Sequence, residues 1–310
     1  MKIDICIPVY KPDDKLSEII KRLNRQTVKP NKYIIMYTKM SDDDHLSSDI
    51  IDEGNRVAPV VVHEISEDEF DHGRTRFQAV SCSDAEIFVC MTQDAIPKDN
   101  LLLEHLLKAF NNPKVAAAYA RQLPSKNSSL SECFTRQFNY PDKSCVKYES
   151  DIETMGIKAF FCSDVCAAYR RSAYEQAGGF IRRGIFNEDM ILARRLLSLG
   201  YGINYVATAG VIHTHEYTAM QQLHRNFDLG VSQKMNSDVF DGISSESEGV
   251  KYVKCAYSYF KDNHRGYLIV PFVYGCCFKY LGYLLGKRYD KLPKWLVNRL
   301  AMNKRFFKNI

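Results

Sequence analysis

An α/β protein built on a mostly parallel, doubly wound sheet is predicted by three features of this 310-residue sequence. Short apolar runs that read as buried strands alternate with segments whose apolar residues recur at helical spacing. Polar loops follow the strand runs, at the carboxyl ends where such sheets bind ligands. The composition, 45% hydrophobic and 25% charged, is that of a folded globular chain. The length accommodates one large domain with an appendage, or two small domains.

The elements follow in order. Ile3–Tyr10 is an apolar run ending at a turn, a buried strand. Leu16, Ile19, Ile20 and Leu23 give Lys15–Gln26 a helical period. Lys32–Tyr37 is a second strand, followed by the polar loop Ser41–Asp44, and Val57–Ile65 a third, with Pro59 marking an edge. A helix over Thr75–Ser83 leads to the strand Glu86–Met91 and the loop Thr92–Pro97. Leu101–Phe110 reads as a helix and Val115–Ala120 as a strand. Gln122–Thr154 is polar and irregular, an insertion or loop. Ala159–Tyr169 is apolar enough for a strand, and a short helix Ser172–Ala177 stops at Gly178-Gly179. A strong helix, Glu188–Leu199, ends at Gly200, and Ile203–Ala207 is a short strand. From Ala219 onward the pattern is helical, so the expected division is a catalytic domain over 1–220 and a helical, basic extension over 221–310.

The formal charge of +5 is unevenly spread. Residues 251–310 hold thirteen Lys and Arg against two acids, a net of +11, which leaves −6 for residues 1–250. A tail of this kind suits an anionic surface, most simply a membrane face or a phosphorylated lipid. No run of about 18 uninterrupted apolar residues announces a membrane span, and Met1–Pro8 lacks the pattern of a secretory leader. Ten scattered cysteines, several inside apolar runs, read as reduced thiols, and Cys162–Cys166 lacks the spacing of a zinc pair. Helical aromatics of the tail such as Tyr267–Tyr274 suit an interfacial segment, with fold completion or a homodimer contact as the alternatives. No groove-reading motif accompanies the basic tail, so no nucleic-acid partner is expected.

Four motifs occur in a telling order: Ile7-Pro8-Val9-Tyr10 at the end of the first strand, Thr92-Gln93-Asp94-Ala95 after a buried strand, Asn187-Glu188-Asp189 after Gly178-Gly179-Phe180, and Val211-Ile212-His213-Thr214-His215. Together they resemble family 2 glycosyltransferases of the GT-A type over roughly residues 1–220. His72-Gly73-Arg74-Thr75-Arg76, the Thr92 string and Phe161–Arg171 look most like bacterial rhamnosyltransferases, the streptococcal rhamnan-synthesis branch in particular. The resemblance implies a Rossmann-like sheet with flanking helices and transfer of a sugar from a nucleotide diphosphate.

It also implies roles, each with a plainer alternative. Asp94 would hold Mg2+ or Mn2+ against the donor diphosphate, although Gln93 and Ala95 stand where many relatives carry further acids; otherwise it caps a helix. His213 and His215, on one side of an extended segment, would lie near the metal, and an imidazole ligand favours Mn2+; otherwise they are an exposed pair. Asp189 would be the general base, with Glu188 as a neighbour or acceptor contact; otherwise both are ordinary acids of a helix N-terminus. Arg76 and Arg74 would bind the diphosphate, or belong to a solvated turn. Pro8, Tyr10 and Gln93 would border the nucleotide sugar, and Ser163 and Asp164 the donor sugar or acceptor, or else the core edge.

The expected activity is therefore inverting transfer of L-rhamnose from dTDP-L-rhamnose to a hydroxyl of a lipid-linked saccharide in cell-surface polysaccharide synthesis. The enzyme would be cytoplasmic and peripheral at the inner face of the membrane. The alternatives are a UDP-hexose or UDP-N-acetylhexosamine donor, and a non-catalytic subunit of a polysaccharide assembly complex.

Overall fold

A computed structural model describes residues 1–243 and 246–309. Its first unit comprises 1–123, 140–183 and 188–213, and its second 124–139, 184–187 and 214–310.

The strands of the first unit are β1 (Ile3–Tyr10), β2 (Lys32–Lys39), β3 (Val60–Ser66), β4 (Ile87–Met91), β5 (Ile96–Pro97), β6 (Val115–Leu123), β7 (Cys145–Lys147), β8 (Cys166–Arg170) and β9 (Gly202–Ile212). They form one sheet in the order β3-β2-β1-β4-β8-β6-β9-β5, with β7 also on β9. β1 pairs in parallel with both β2 and β4, and β2 with β3. β8 runs antiparallel between β4 and β6. The sheet reverses order beside β1, so the ends of β1 and β4 open the crevice typical of doubly wound folds. β1, β2 and β4 are apolar on both faces because helices cover both; Ile5, Ile7, Tyr33, Ile35 and Val89 are fully buried.

The helices of this unit are α1 (Asp14–Asn24), α2 (Ser48–Asn55), α3 (His72–Ser81), α4 (Leu102–Lys108) and, beyond the second unit's α5 (Leu130–Asn139), α6 (Ile152–Met155), α7 (Arg171–Gln176) and α8 (Glu188–Ser198). Most expected elements appear with shifted ends. α3 begins three residues earlier than the apolar period suggests, because the Asp71 side chain accepts hydrogen bonds from the N–H groups of Gly73 and Arg74. The His72–Arg76 string is therefore the first turn of a helix and not a loop before one. The stretch 122–154 is not a bare loop; it holds α5 and β7. Of the strand expected over 159–169 only its end survives, as β8, since residues 156–160 form a 3-10 turn that carries Ser163 and Asp164 into a bend.

The second unit adds α9 (Ala219–Met235), α10 (Ser237–Phe240), α11 (Glu246–Asp262), α12 (Ile269–Gly286) and α13 (Lys294–Leu300). Phe227 and Val231 of α9 pack with Ile185, Val297 and Ala301, and Phe134 of α5 packs with Ala256 and Phe260 of α11. Residues 124–139 thus fold with the C-terminal helices. α12 corrects one expectation. With the preceding turn it makes a continuous segment, Gly266–Gly286, of mean hydropathy 1.6, long and apolar enough to cross a membrane by length and composition. Pro271 does not break it, because it lies in the first turn, where a proline costs no helical hydrogen bond.

Candidate active site

Two buried carboxylates, a third that is partly exposed and one arginine meet at the N-terminus of α8. Asn187, with a left-handed backbone (φ 64°) that asparagine tolerates better than most residues, turns the chain into α8. Glu188 and Asp189 then occupy the first turn, where the helix dipole favours negative charge. The Asp164 N–H donates to Asp189 Oδ2 at 3.1 Å, and the Met190 N–H to Asp189 Oδ1 at 2.7 Å. Asp164 itself is buried; its Oδ1 accepts from the Tyr169 hydroxyl at 2.6 Å.

Arg76 reaches this group from α3. Its Nη1 lies 2.9 Å from Glu188 Oε1, and its Nε 3.0 Å from Asp164 Oδ2, the latter an ionic contact without hydrogen-bond alignment. Burial alone would lower the Arg76 pKa, but Glu188 and Asp164 outweigh it and hold the guanidinium firmly charged. Arg76, expected at the diphosphate, is 6% exposed and paired with two carboxylates inside the protein. Arg74, one turn position away, is exposed. Glu188 is likewise buried and paired with Arg76.

Asp189 differs from its neighbours in keeping partial exposure. Its pKa is raised well above the ordinary carboxylate value, first by burial, then by the charges of Glu188 and Asp164; the Asp164 N–H and Arg76 pull the other way. Asp164 is also raised, by burial above all. A partly exposed carboxyl held in orientation by two backbone N–H groups is suited to accepting a proton.

The second constellation lies at the ends of β4, β6 and β9. Asp94 follows β4, and His213 Nε2 stands 3.5 Å from Asp94 Oδ1. His215 follows two residues along, and one ligand atom from each of Asp94, His213 and His215 falls within 4.8 Å of the others. The hydrogen-bond network assigns the His213 tautomer. Gln122 Nε2 donates to the Tyr140 hydroxyl (2.5 Å) and to Ser163 Oγ (3.0 Å), so its Oε1 is the acceptor for His213 Nδ1–H at 3.0 Å. Its Nε2 faces Asp94 Oδ1. An imidazole nitrogen and a carboxylate oxygen converging with a further histidine are groups that a divalent cation can bind, and the Gln122 amide fixes the orientation of the His213 ring. The donor set therefore fits a metal, and its imidazoles favour Mn2+ over Mg2+.

Gln93 joins two segments of the first unit. Its Oε1 accepts the Tyr10 N–H at 2.7 Å and its Nε2 donates to the Tyr10 carbonyl at 2.8 Å, tying the end of β1 to the Asp94 loop. The Tyr10 hydroxyl donates to Glu67 at 2.5 Å. Pro8, near the end of β1, is partly exposed. Ser163 serves the Gln122 network. Gln122, Tyr140 and Tyr169 were not signalled by the sequence: each is a polar tip on an otherwise core residue, recognisable only once strands bring them together.

Residues 2–228 match the model of the family described as glycosyltransferase like family 2. The chain belongs to glycosyltransferase family 2. This glycosyltransferase is 34% identical over 319 residues to the O-antigen chain rhamnosyltransferase RfbN of Salmonella typhimurium, covering all of this chain and 97% of that one. It is 34% identical over 315 residues to the O-antigen chain rhamnosyltransferase WbaN of Salmonella anatum, covering 99% and 96%. Among solved structures, the mannosyltransferase PcManGT of Pyrobaculum calidifontis, in complex with GDP-Man and Mn2+, has a TM-score of 0.64 at 13% identity, covering 94% of this chain and 88% of that one. TarS residues 1–349 of S. aureus gives 0.57 at 10% identity, covering 100% and 89%. At such identities the likeness establishes the GT-A fold of the glycosyltransferase.

Proposed function

We propose that the protein is an inverting rhamnosyltransferase of surface-polysaccharide synthesis, moving L-rhamnose from dTDP-L-rhamnose to a hydroxyl of a lipid-linked saccharide. The observation that carries this reading is the end-to-end 34% identity with two O-antigen chain rhamnosyltransferases. In it, Asp189 takes the proton of the acceptor hydroxyl as that oxygen attacks the anomeric carbon, and the donor's β-linkage becomes α. Asp164 N–H and the Met190 N–H keep both oxygens of Asp189 in place. Arg76 offsets part of the charge of Glu188 and Asp164 beside Asp189 and so favours the ionised form of Asp189.

Asp94, His213 and His215 are the residues that would hold Mn2+ or Mg2+. Such an ion, when bound, neutralises charge on the departing nucleotide diphosphate. Arg74, exposed in the first turn of α3, would add a cation for the diphosphate. A lipid-linked acceptor also suits the basic C-terminal region, and we place the enzyme in the cytoplasm at the inner membrane face, held reversibly. The test is a donor screen. Purified enzyme, Mn2+ and a synthetic lipid-linked acceptor are incubated with dTDP-L-rhamnose, UDP-glucose or UDP-N-acetylglucosamine, and nucleotide release is measured. Equal or faster turnover of a UDP-sugar would replace the proposed donor.

A further inference from the structure

The second unit carries an apolar surface that neither the fold nor the chemistry uses. One face of α12 is spent on α9. A Cβ added at Gly282 or Gly286 would collide with the backbone of Leu223 or Phe227, and one at Gly230 with the backbone of Tyr283, so the two helices meet at backbone contact. On the other side Tyr267, Val270, Tyr274, Cys277 and Leu281 recur every three or four residues, and all five are exposed. Val270 is 72% exposed, Tyr267 66%, Tyr274 59% and Leu281 47%. No charged side chain interrupts this stripe over about four turns. A contiguous apolar surface of this length marks an interaction site.

We propose that this stripe is a membrane-contact site on which α12 lies in the plane of an anionic lipid leaflet, its apolar face buried at the headgroup boundary. This deepens the reading of a lipid-linked acceptor and rests on it. Spanning is excluded by α9. A helix in backbone contact with α12 would have to enter the hydrocarbon with it, and α9 carries Gln221, Gln222, His224, Arg225, Asn226 and Asp228. In-plane seating leaves those groups on the protein side. Tyr267 and Tyr274 have the amphipathic rings that favour the interface. Arg265 and Arg288 stand exposed at the two ends of the helix, and α11 exposes Lys251, Lys254 and Lys261. The net +11 over residues 251–310 complements anionic headgroups. It also argues against a second copy of the chain as the occupant, because a two-fold interface would set this positive region against itself.

The test is sedimentation of the full-length protein with vesicles of phosphatidylcholine alone or mixed with phosphatidylglycerol, at low and high salt. Binding is expected to the anionic vesicles and to weaken as salt rises. V270D/Y274D should lower the partition coefficient about tenfold or more. Turnover of a water-soluble acceptor by that variant should be unchanged. K251E/K254E/K261E, all exposed positions, serves as the second variant and should flatten the salt dependence. The proposal is overturned if the wild type stays in the supernatant with anionic vesicles at low salt, or if V270D/Y274D binds as well as the wild type. It is also overturned if the wild type sediments as a dimer that V270D/Y274D dissociates while neither binds vesicles. Loss of dTDP-L-rhamnose turnover with vesicle binding intact would strike the proposed reaction and leave the lipid surface standing.

Discussion

The backbone N–H of Asp164 donates to Oδ2 of Asp189 across 3.1 Å, joining the bend before β8 to the first turn of α8. The Asp164 side chain is held in turn by Tyr169 and Arg76, so the orientation of Asp189 is fixed by a buried network.

Asp189→Asn keeps size and shape but removes the proton acceptor. Turnover is expected to fall by about 10² or more, with donor affinity preserved when measured by calorimetry. Near-wild-type turnover would remove Asp189 from the role of base.

The charges around Asp189 set where the rate rises with pH, because a general base works deprotonated. Glu188 raises the Asp189 pKa, so Glu188→Gln should move the acidic limb of the rate profile to lower pH. Arg76 lowers it, so Arg76→Met should move the limb the opposite way. The second change also breaks a buried ion network and should cost about 3–5 kcal/mol of stability. Shifts of the same sign in both variants would contradict this electrostatic arrangement.

At the Asp94 site, excess chelator should abolish or strongly weaken activity, and Asp94→Ala should do the same. Gln122→Ala leaves all three candidate ligands in place and removes the acceptor for His213 Nδ1–H, together with the donor to Tyr140 and Ser163. Its Mn2+ affinity, read by electron paramagnetic resonance, should fall roughly 10–100-fold. Full activity in chelator would mean that protein cations alone serve the diphosphate.

Donor choice is a separate expectation. dTDP-L-rhamnose should give a higher kcat/KM than UDP-glucose or UDP-N-acetylglucosamine under identical conditions, and a reversed order would move the enzyme to the UDP-sugar reading.

The sheet is legible in the sequence because β1, β2 and β4 are continuous apolar runs that burial on both faces demands. The approach of Asp94 to His213 is foreshadowed by the motif order, since both follow strands whose ends share one edge. Arg76 reads from the sequence as an anion ligand because it is a basic residue near a helix start, and only the course of α3 reveals its two carboxylate partners. Gln122 looks like the first residue of a polar loop, whereas β6 continues to Leu123. The α12 stripe is hidden by Lys279 and Pro271, which interrupt a linear apolar run but not a face that repeats every three or four residues.

The double hydrogen bond between the Gln93 amide and the Tyr10 backbone has one more consequence. It imitates a rung of sheet where no strand exists, so the loop bearing Asp94 inherits the stiffness of β1. A loop of that kind would otherwise sample many arrangements and lose that freedom each time a donor arrived. With the rung in place, the entropy of positioning Asp94 is given up once, during folding, and not again at every turnover.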